Sequence, residues 1–98
     1  MNMQALMRQA QNLQRDMMKT KEEIDNKSFT GKSSIVSVVV KGNKTVEKVT
    51  IDGDITNDDK EMIEDMLMVA LNDAFNQIDK ETEEKMGKYS SMMPGGLF

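Results

Sequence analysis

The chain has 98 residues, 13 Lys+Arg against 17 Asp+Glu, a formal net charge of -4, 11 Met, and no Cys, His or Trp. That length suits a single domain around one core, and the absence of Cys and His excludes disulfides, thiolate metal sites and the usual nucleophile–base pairs. No stretch approaches the ~20 apolar residues of a membrane span and no signal-peptide core opens the chain, so we expect a soluble, non-enzymatic protein of a reducing compartment with no cofactor, no metal and no small-molecule substrate.

From Met3 to about Asp25 the pattern predicts a helix. Met3, Leu6, Ala10, Leu13, Met17, Thr20 and Ile24 recur at alternating spacings of three and four, a heptad seam suited to packing along another long helix. Thr20 is its one polar lapse. The segment holds no Gly or Pro and is rich in Gln, Met, Arg, Lys and Ala, which favour helix.

Ser28 to Asp52 turns to strand formers. Ile35 to Val40 is a β-branched run with Val36, Val38 and Val40 on one face, Gly42-Asn43 signals a turn, and Lys44 to Asp52 predicts a second strand with Val49 and Ile51 facing inward. Ser28-Phe29-Thr30, ahead of Gly31, predicts a short third strand. The connections are too short for a crossover, so the strands should form an antiparallel meander.

Asp52 to Asp59 reads as a loop feeding a second long helix, capped by Asn57 or by Asp58 with Glu61 three residues on. Met62, Ile63, Met66, Leu67, Ala70, Leu71, Ala74, Phe75, Ile78 and Met86 fall on one broad stripe. Glu81 and Lys85, four apart, support the exposed end. Fraying is expected near Gly87, giving one domain over 1–89 and a flexible C-terminal tail over 90–98 that contains Pro94-Gly95-Gly96.

At 1.5 Å per residue the helices span roughly 34 Å and roughly 43 Å, whereas a compact globule of this size is only roughly 33 Å across. Phe29 and Phe75 are the aromatics well placed for burial. Much apolar helix surface is left to cover, and a homodimer covers it symmetrically.

Acidic clusters test poorly as chemistry. With Asp52 at position 1 of a calcium loop, Asn57 stands where Gly is needed and Ile63 where Glu is needed. Helix capping accounts for these residues better. Glu22-Glu23, Asp58-Asp59 and Glu83-Glu84 fit solvated helix faces with no pocket to shift their pKa values. The Met residues sit at helical spacing, as core or interface packing would have them.

Charge is divided along the chain. Residues 1–50 hold nine basic and five acidic side chains, a balance of +4, and residues 51–98 hold four and twelve, a balance of -8. Arg8 and Arg15, seven apart, share a helix face away from the seam, and Lys19 lies one turn beyond Arg15. Aligned cations can follow a phosphate backbone; a solvated helix face is the bland alternative. Without interleaved aromatics, base stacking on single strands is disfavoured. On the second helix Lys80, Lys85 and Lys88 join the candidate DNA-binding set.

Three runs carry a family resemblance. Met7-Arg8-Gln9-Ala10-Gln11-Asn12-Leu13-Gln14, then Asp58-Asp59-Lys60-Glu61-Met62-Ile63-Glu64-Asp65-Met66 followed by Leu71-Asn72-Asp73-Ala74, and finally Met93-Pro94-Gly95-Gly96 are similar to the YbaB/EbfC family of bacterial nucleoid-associated proteins. Thr30-Gly31 and Val49-Thr50-Ile51-Asp52 fit its strand region. Lys32-Ser33-Ser34 stands where that family usually holds further glycines, and Gly53 where a Pro commonly follows. The resemblance implies an α-β-β-β-α fold that dimerises tightly, with helices projecting as arms around duplex DNA, sequence-tolerant binding, and a nucleoid setting in the bacterial cytoplasm. It supplies no catalytic motif.

The combined expectation is an α+β protein, α-β-β-β-α with a three-stranded antiparallel meander and two long helices, acting as a homodimer that binds duplex DNA through phosphates. The alternative is an acidic, coiled-coil-like dimeric adaptor that binds other proteins, motivated by the -8 balance of residues 51–98 and the Met-rich helix.

Overall fold

The computed structural model describes residues 2–92: α1 (Met3–Asn26), β1 (Ser28–Ser33), β2 (Val36–Lys41), β3 (Val46–Ile51), a 3-10 turn (Asn57–Asp59) and α2 (Lys60–Met92). The strands form one antiparallel sheet in the order β1-β2-β3, which is the expected α-β-β-β-α meander. α1 starts where Asn2 Oδ1 accepts the Gln4 N–H at 3.0 Å, satisfying one of the helix's orphan donors. It stops at Lys27, whose backbone is extended.

Period-two alternation sorts the sheet into two faces. Val36, Val38 and Val40 are fully buried on one of them, joined there by Phe29 and Gly31 of β1. α2 lies on this face and contributes its own buried line of Ala70, Ala74 and Ile78. Small residues let helix and strand approach closely. At Gly31 a Cβ would collide with the Ala70 carbonyl oxygen and stand 2.8 Å from the Ala74 nitrogen. Two polar side chains of α2 finish the seam: Asp73 Oδ2 accepts the Lys32 N–H at 3.1 Å, and Gln77 Nε2 donates to the Thr30 carbonyl at 2.8 Å. They occupy backbone groups that an edge strand would otherwise leave open.

β3 departs from expectation. Val49 and Ile51 pair with Val38 and Val36 and so point to the core side of the sheet, yet they are 46% and 36% exposed. The reason is width: one helix, about 10 Å across, covers about two strands spaced ~4.8 Å apart, and α2 lies over β1 and β2 but not β3. A bulge at Glu47 sets Val46 opposite Val40, which keeps Val46 on the same uncovered side.

The helix cap also differs. Neither Asn57 nor an Asp58–Glu61 pair starts the second helix; Thr56 does, through Asp59 Oδ2, which accepts from the Thr56 N–H at 2.9 Å and from its hydroxyl at 3.0 Å. The chain enters α2 through the 3-10 turn, which shifts the cap toward the N-terminus. These two donors hold the Asp59 carboxyl below its ordinary value of 3.8.

Past Ile78 the helix leaves the sheet and packs on α1. Ile24, Met86 and Tyr89 form a second buried cluster, with Leu13 and Met17 half-buried against it. That cluster is why α2 does not fray near Gly87 but continues to Met92; Tyr89 belongs to the domain's packing, and 93–98 of the expected tail lie outside the described residues. Among the described residues Tyr89, not Phe75, is the second buried aromatic beside Phe29, Phe75 being half-buried. The N-terminal half of the heptad seam, Met3, Leu6 and Ala10, is exposed. The result is elongated, 71 × 19 × 14 Å with a radius of gyration of 19.3 Å, against about 13 Å for a compact chain of this length.

Candidate nucleic-acid interface

The seam residues Leu13, Met17, Thr20 and Ile24 turn one side of α1 toward α2. By helical geometry Arg8, Arg15 and Lys19 fall on the opposite side, where all three are exposed. At 1.5 Å per residue they run along roughly 16 Å of helix. Gln11, Gln14, Met18 and Glu22 share a shallow groove with Arg15 and Lys19. Arg8 lies N-terminal to Leu13 and Met17, the half-buried α1 residues packed against the Ile24–Met86–Tyr89 cluster.

Partners divide the chain's cations into two kinds. Lys27 donates to Glu81 Oε1 at 2.6 Å and stands 5.3 Å from the Phe29 ring centre; Lys85 is 3.7 Å from Glu81 Oε2; Lys44 is 3.4 Å from Asp79; and Lys21 is 3.5 Å from Asp25. The Lys27 and Lys44 pairs tie the strand region to α2, whereas the Lys21 and Lys85 pairs lie within α1 and within α2. Among the described residues no ion pair engages Arg8, Arg15, Lys19 or Lys80. Glu81 is the centre of the structural group: the Lys27 ammonium holds its carboxyl below the ordinary value of 4.5, against desolvation, and Lys85 adds to the effect.

The two candidate trios are not brought together. Lys80 lies on the side of α2 away from Tyr89, hence away from α1. Lys85 is drawn into the Glu81 group, and Lys88 stands 5.0 Å from the Tyr89 ring centre. Charge and helical spacing find Arg8, Arg15 and Lys19 without the structure. They carry no signal for Lys32, Lys41 and Lys48, which strand register alone gathers on one face of the sheet. Among the described residues no group of three or more His, Cys, Asp or Glu side chains is placed to hold a metal ion, and no helix is long and apolar enough to cross a membrane.

In this slender α-β-β-β-α chain the first helix thus presents Arg8, Arg15 and Lys19 exposed and, among the described residues, without a carboxylate partner. The chain belongs to the YbaB/EbfC DNA-binding family, whose model matches residues 1–93. It is 43% identical over 97 residues to a nucleoid-associated protein of Lactococcus lactis subsp. cremoris, covering 96% of this chain and 98% of that one. It is 42% identical over 98 residues to a nucleoid-associated protein of Ligilactobacillus salivarius, covering 97% and 94%. Its fold is similar to the crystal structure of the uncharacterized protein HP0035 from Helicobacter pylori, with a TM-score of 0.73 at 23% identity over 95% of this chain and 99% of that one.

Proposed function

We propose that the protein is a homodimer that binds duplex DNA with little sequence preference, chiefly through phosphates, in the cytoplasmic nucleoid of a bacterium, and that it catalyses no reaction. The observation that carries this reading is the set of Arg8, Arg15 and Lys19, exposed on the outer side of α1 and, among the described residues, without ion pairs. Each cation that meets a phosphate releases counterions, so affinity should depend steeply on salt. Lys80, Lys85 and Lys88 would contribute less, since Lys85 already faces Glu81.

The dimer is supported by the uncovered side of β3. Val46, Val49 and Ile51 are all exposed there, beside the flank of α2 that carries Leu71 and Phe75 in line with Asp79, the partner of Lys44 in the β2–β3 turn. The β1 edge is already occupied by Asp73 and Gln77. A second copy seated along β3 would remove this apolar surface from water at ~25 cal/mol per Å².

The test is a titration of mixed-sequence duplexes over a range of salt concentrations. With about four to six phosphates neutralised, log K should fall against log salt with a slope of roughly -4 to -5; a flat profile would reject phosphate binding. The adaptor reading draws on the exposed Met3, Leu6 and Met7, at 71%, 40% and 59%. It would gain if the dimer bound no DNA and left that stripe uncovered.

A further inference from the structure

The alternation that buries Val36, Val38 and Val40 sends every other residue of the sheet to the opposite side. Register arranges these residues in transverse rows: Lys32, Ser37 and Thr50; Thr30, Val39 and Lys48; and Ser28 beside Lys41. Ser28, Thr30, Lys32, Lys48 and Thr50 are exposed, and the central-strand residues Ser37, Val39 and Lys41 are half-buried between their neighbours. The bulge carboxylate, Glu47, accepts the Ser28 hydroxyl at 2.7 Å. Among the described residues no carboxylate lies within ion-pair distance of Lys32, Lys41 or Lys48. In a chain of net charge -4 this face is therefore locally cationic and rich in hydroxyl donors.

We propose that this outer face of the sheet is a second contact surface for the phosphates of duplex DNA, separate from the basic side of α1; it rests on the DNA-binding reading above. Strand geometry spreads the three lysine Cα atoms over about 8 to 14 Å, so the ammonium groups meet several phosphates at once. The hydroxyls of Thr30, Ser37 and Thr50 donate to phosphate oxygens between them. No aromatic stands in the rows, so bases have nothing to stack on. Three strands with their side chains are also broader than the ~12 Å major groove, which keeps the contact on the backbone and blind to sequence.

The surface stays open in the dimer. The apolar area that needs a partner lies on the core side of β3 and the adjoining flank of α2. Burying three lysines and their hydroxyl neighbours without partners would be costly. A dimer seated along β3 thus presents two such faces, with six lysines.

The experiment compares wild type, the triple variant Lys32→Gln/Lys41→Gln/Lys48→Gln and the arm variant Arg8→Ala/Arg15→Ala. Fluorescence anisotropy on a labelled 30-bp mixed-sequence duplex is read at several NaCl concentrations. The triple variant should keep wild-type circular dichroism and sedimentation, bind about tenfold more weakly at low salt, and show a salt slope shallower by about 2 to 3. If it misfolds, Lys32→Gln and Lys48→Gln singly should each make the slope shallower by about 1. Wild-type affinity and slope in the sheet variants, with DNA binding by wild type intact, overturn this proposal alone. Absence of DNA binding by wild type overturns both readings. A loss confined to vesicles containing phosphatidylglycerol, with duplex binding unchanged, overturns the assignment to DNA.

Discussion

Thr20 on α1 and Tyr89 on α2 place their hydroxyl oxygens 3.4 Å apart across 69 residues of sequence. The one polar position on the heptad seam of α1 is thereby matched to the one phenol of the chain, which is 4% exposed. A buried tyrosine hydroxyl usually finds a partner, and here the partner is supplied by what looks in the sequence like a flaw in the hydrophobic pattern.

Removing one half of this pair should cost more than removing both. Tyr89→Phe leaves the half-buried Thr20 hydroxyl without its contact and should destabilise by about 1 kcal/mol. Thr20→Val in the same chain should return most of that loss, and urea unfolding of the two single variants and the double variant measures the coupling. Strictly additive effects would mean that the hydroxyls do not interact.

Gly31 tolerates no side chain because β1 and α2 meet there through backbone. Gly31→Ala drives a Cβ into the Ala70 carbonyl oxygen, which cannot rotate aside. Overpacking of this kind costs about 1 to 3 kcal/mol, and the helix must slide along Phe29 and Val38 to relieve it. The midpoint of urea denaturation should fall accordingly; a wild-type midpoint would show that the contact is loose in solution.

Stability should fall in acid, with a known sign. The carboxyls of Glu81 and Asp59 titrate below their ordinary values of 4.5 and 3.8 in the folded chain. Each therefore stabilises the fold above the unfolded value and loses that contribution as pH drops through the lower folded one. The melting temperature should hold from pH 7 to about 5 and decline below it. Glu81→Gln, which removes the charge that Lys27 and Lys85 face, should flatten part of that decline.

Charge placed on the uncovered side of β3 should separate the proposed dimer while sparing the fold of each copy. Val49→Glu is set on a residue already 46% exposed, so a single copy accepts it readily. Burying that carboxylate against a second copy without a partner would cost several kcal/mol. Sedimentation should then report a monomer with wild-type helix content; an unchanged dimer would place the interface elsewhere.

Much of the fold is legible along the chain because it rests on local periodicity. The 3-4 spacing of Met3 to Ile24, the alternation of Val36, Val38 and Val40 and the Gly42-Asn43 turn each act over a few residues. Apart from the local Thr56–Asp59 cap, the errors concern neighbours distant in sequence. Val49 and Ile51 have the inward phase but no helix above them, because α2 is too narrow to reach a third strand. Gly87 looks like a helix end, yet Met86 and Tyr89 on either side are held by α1.

The candidate site divides the same way. Helical spacing alone placed Arg8, Arg15 and Lys19 on one side of α1, since a single helix carries them all. Helical spacing also reads the Glu81–Lys85 pair, but not the pairs between residues distant in sequence: Glu81 is 54 residues from Lys27 and still meets it at 2.6 Å. The clustering of Lys32, Lys41 and Lys48 likewise depends on cross-strand register. Composition and period determined the elements and the polarity of their faces, because both are properties of adjacent residues. Tertiary structure alone decided which faces are covered and which charges remain without an ion-pair partner, because those depend on the width and course of the elements packed against them.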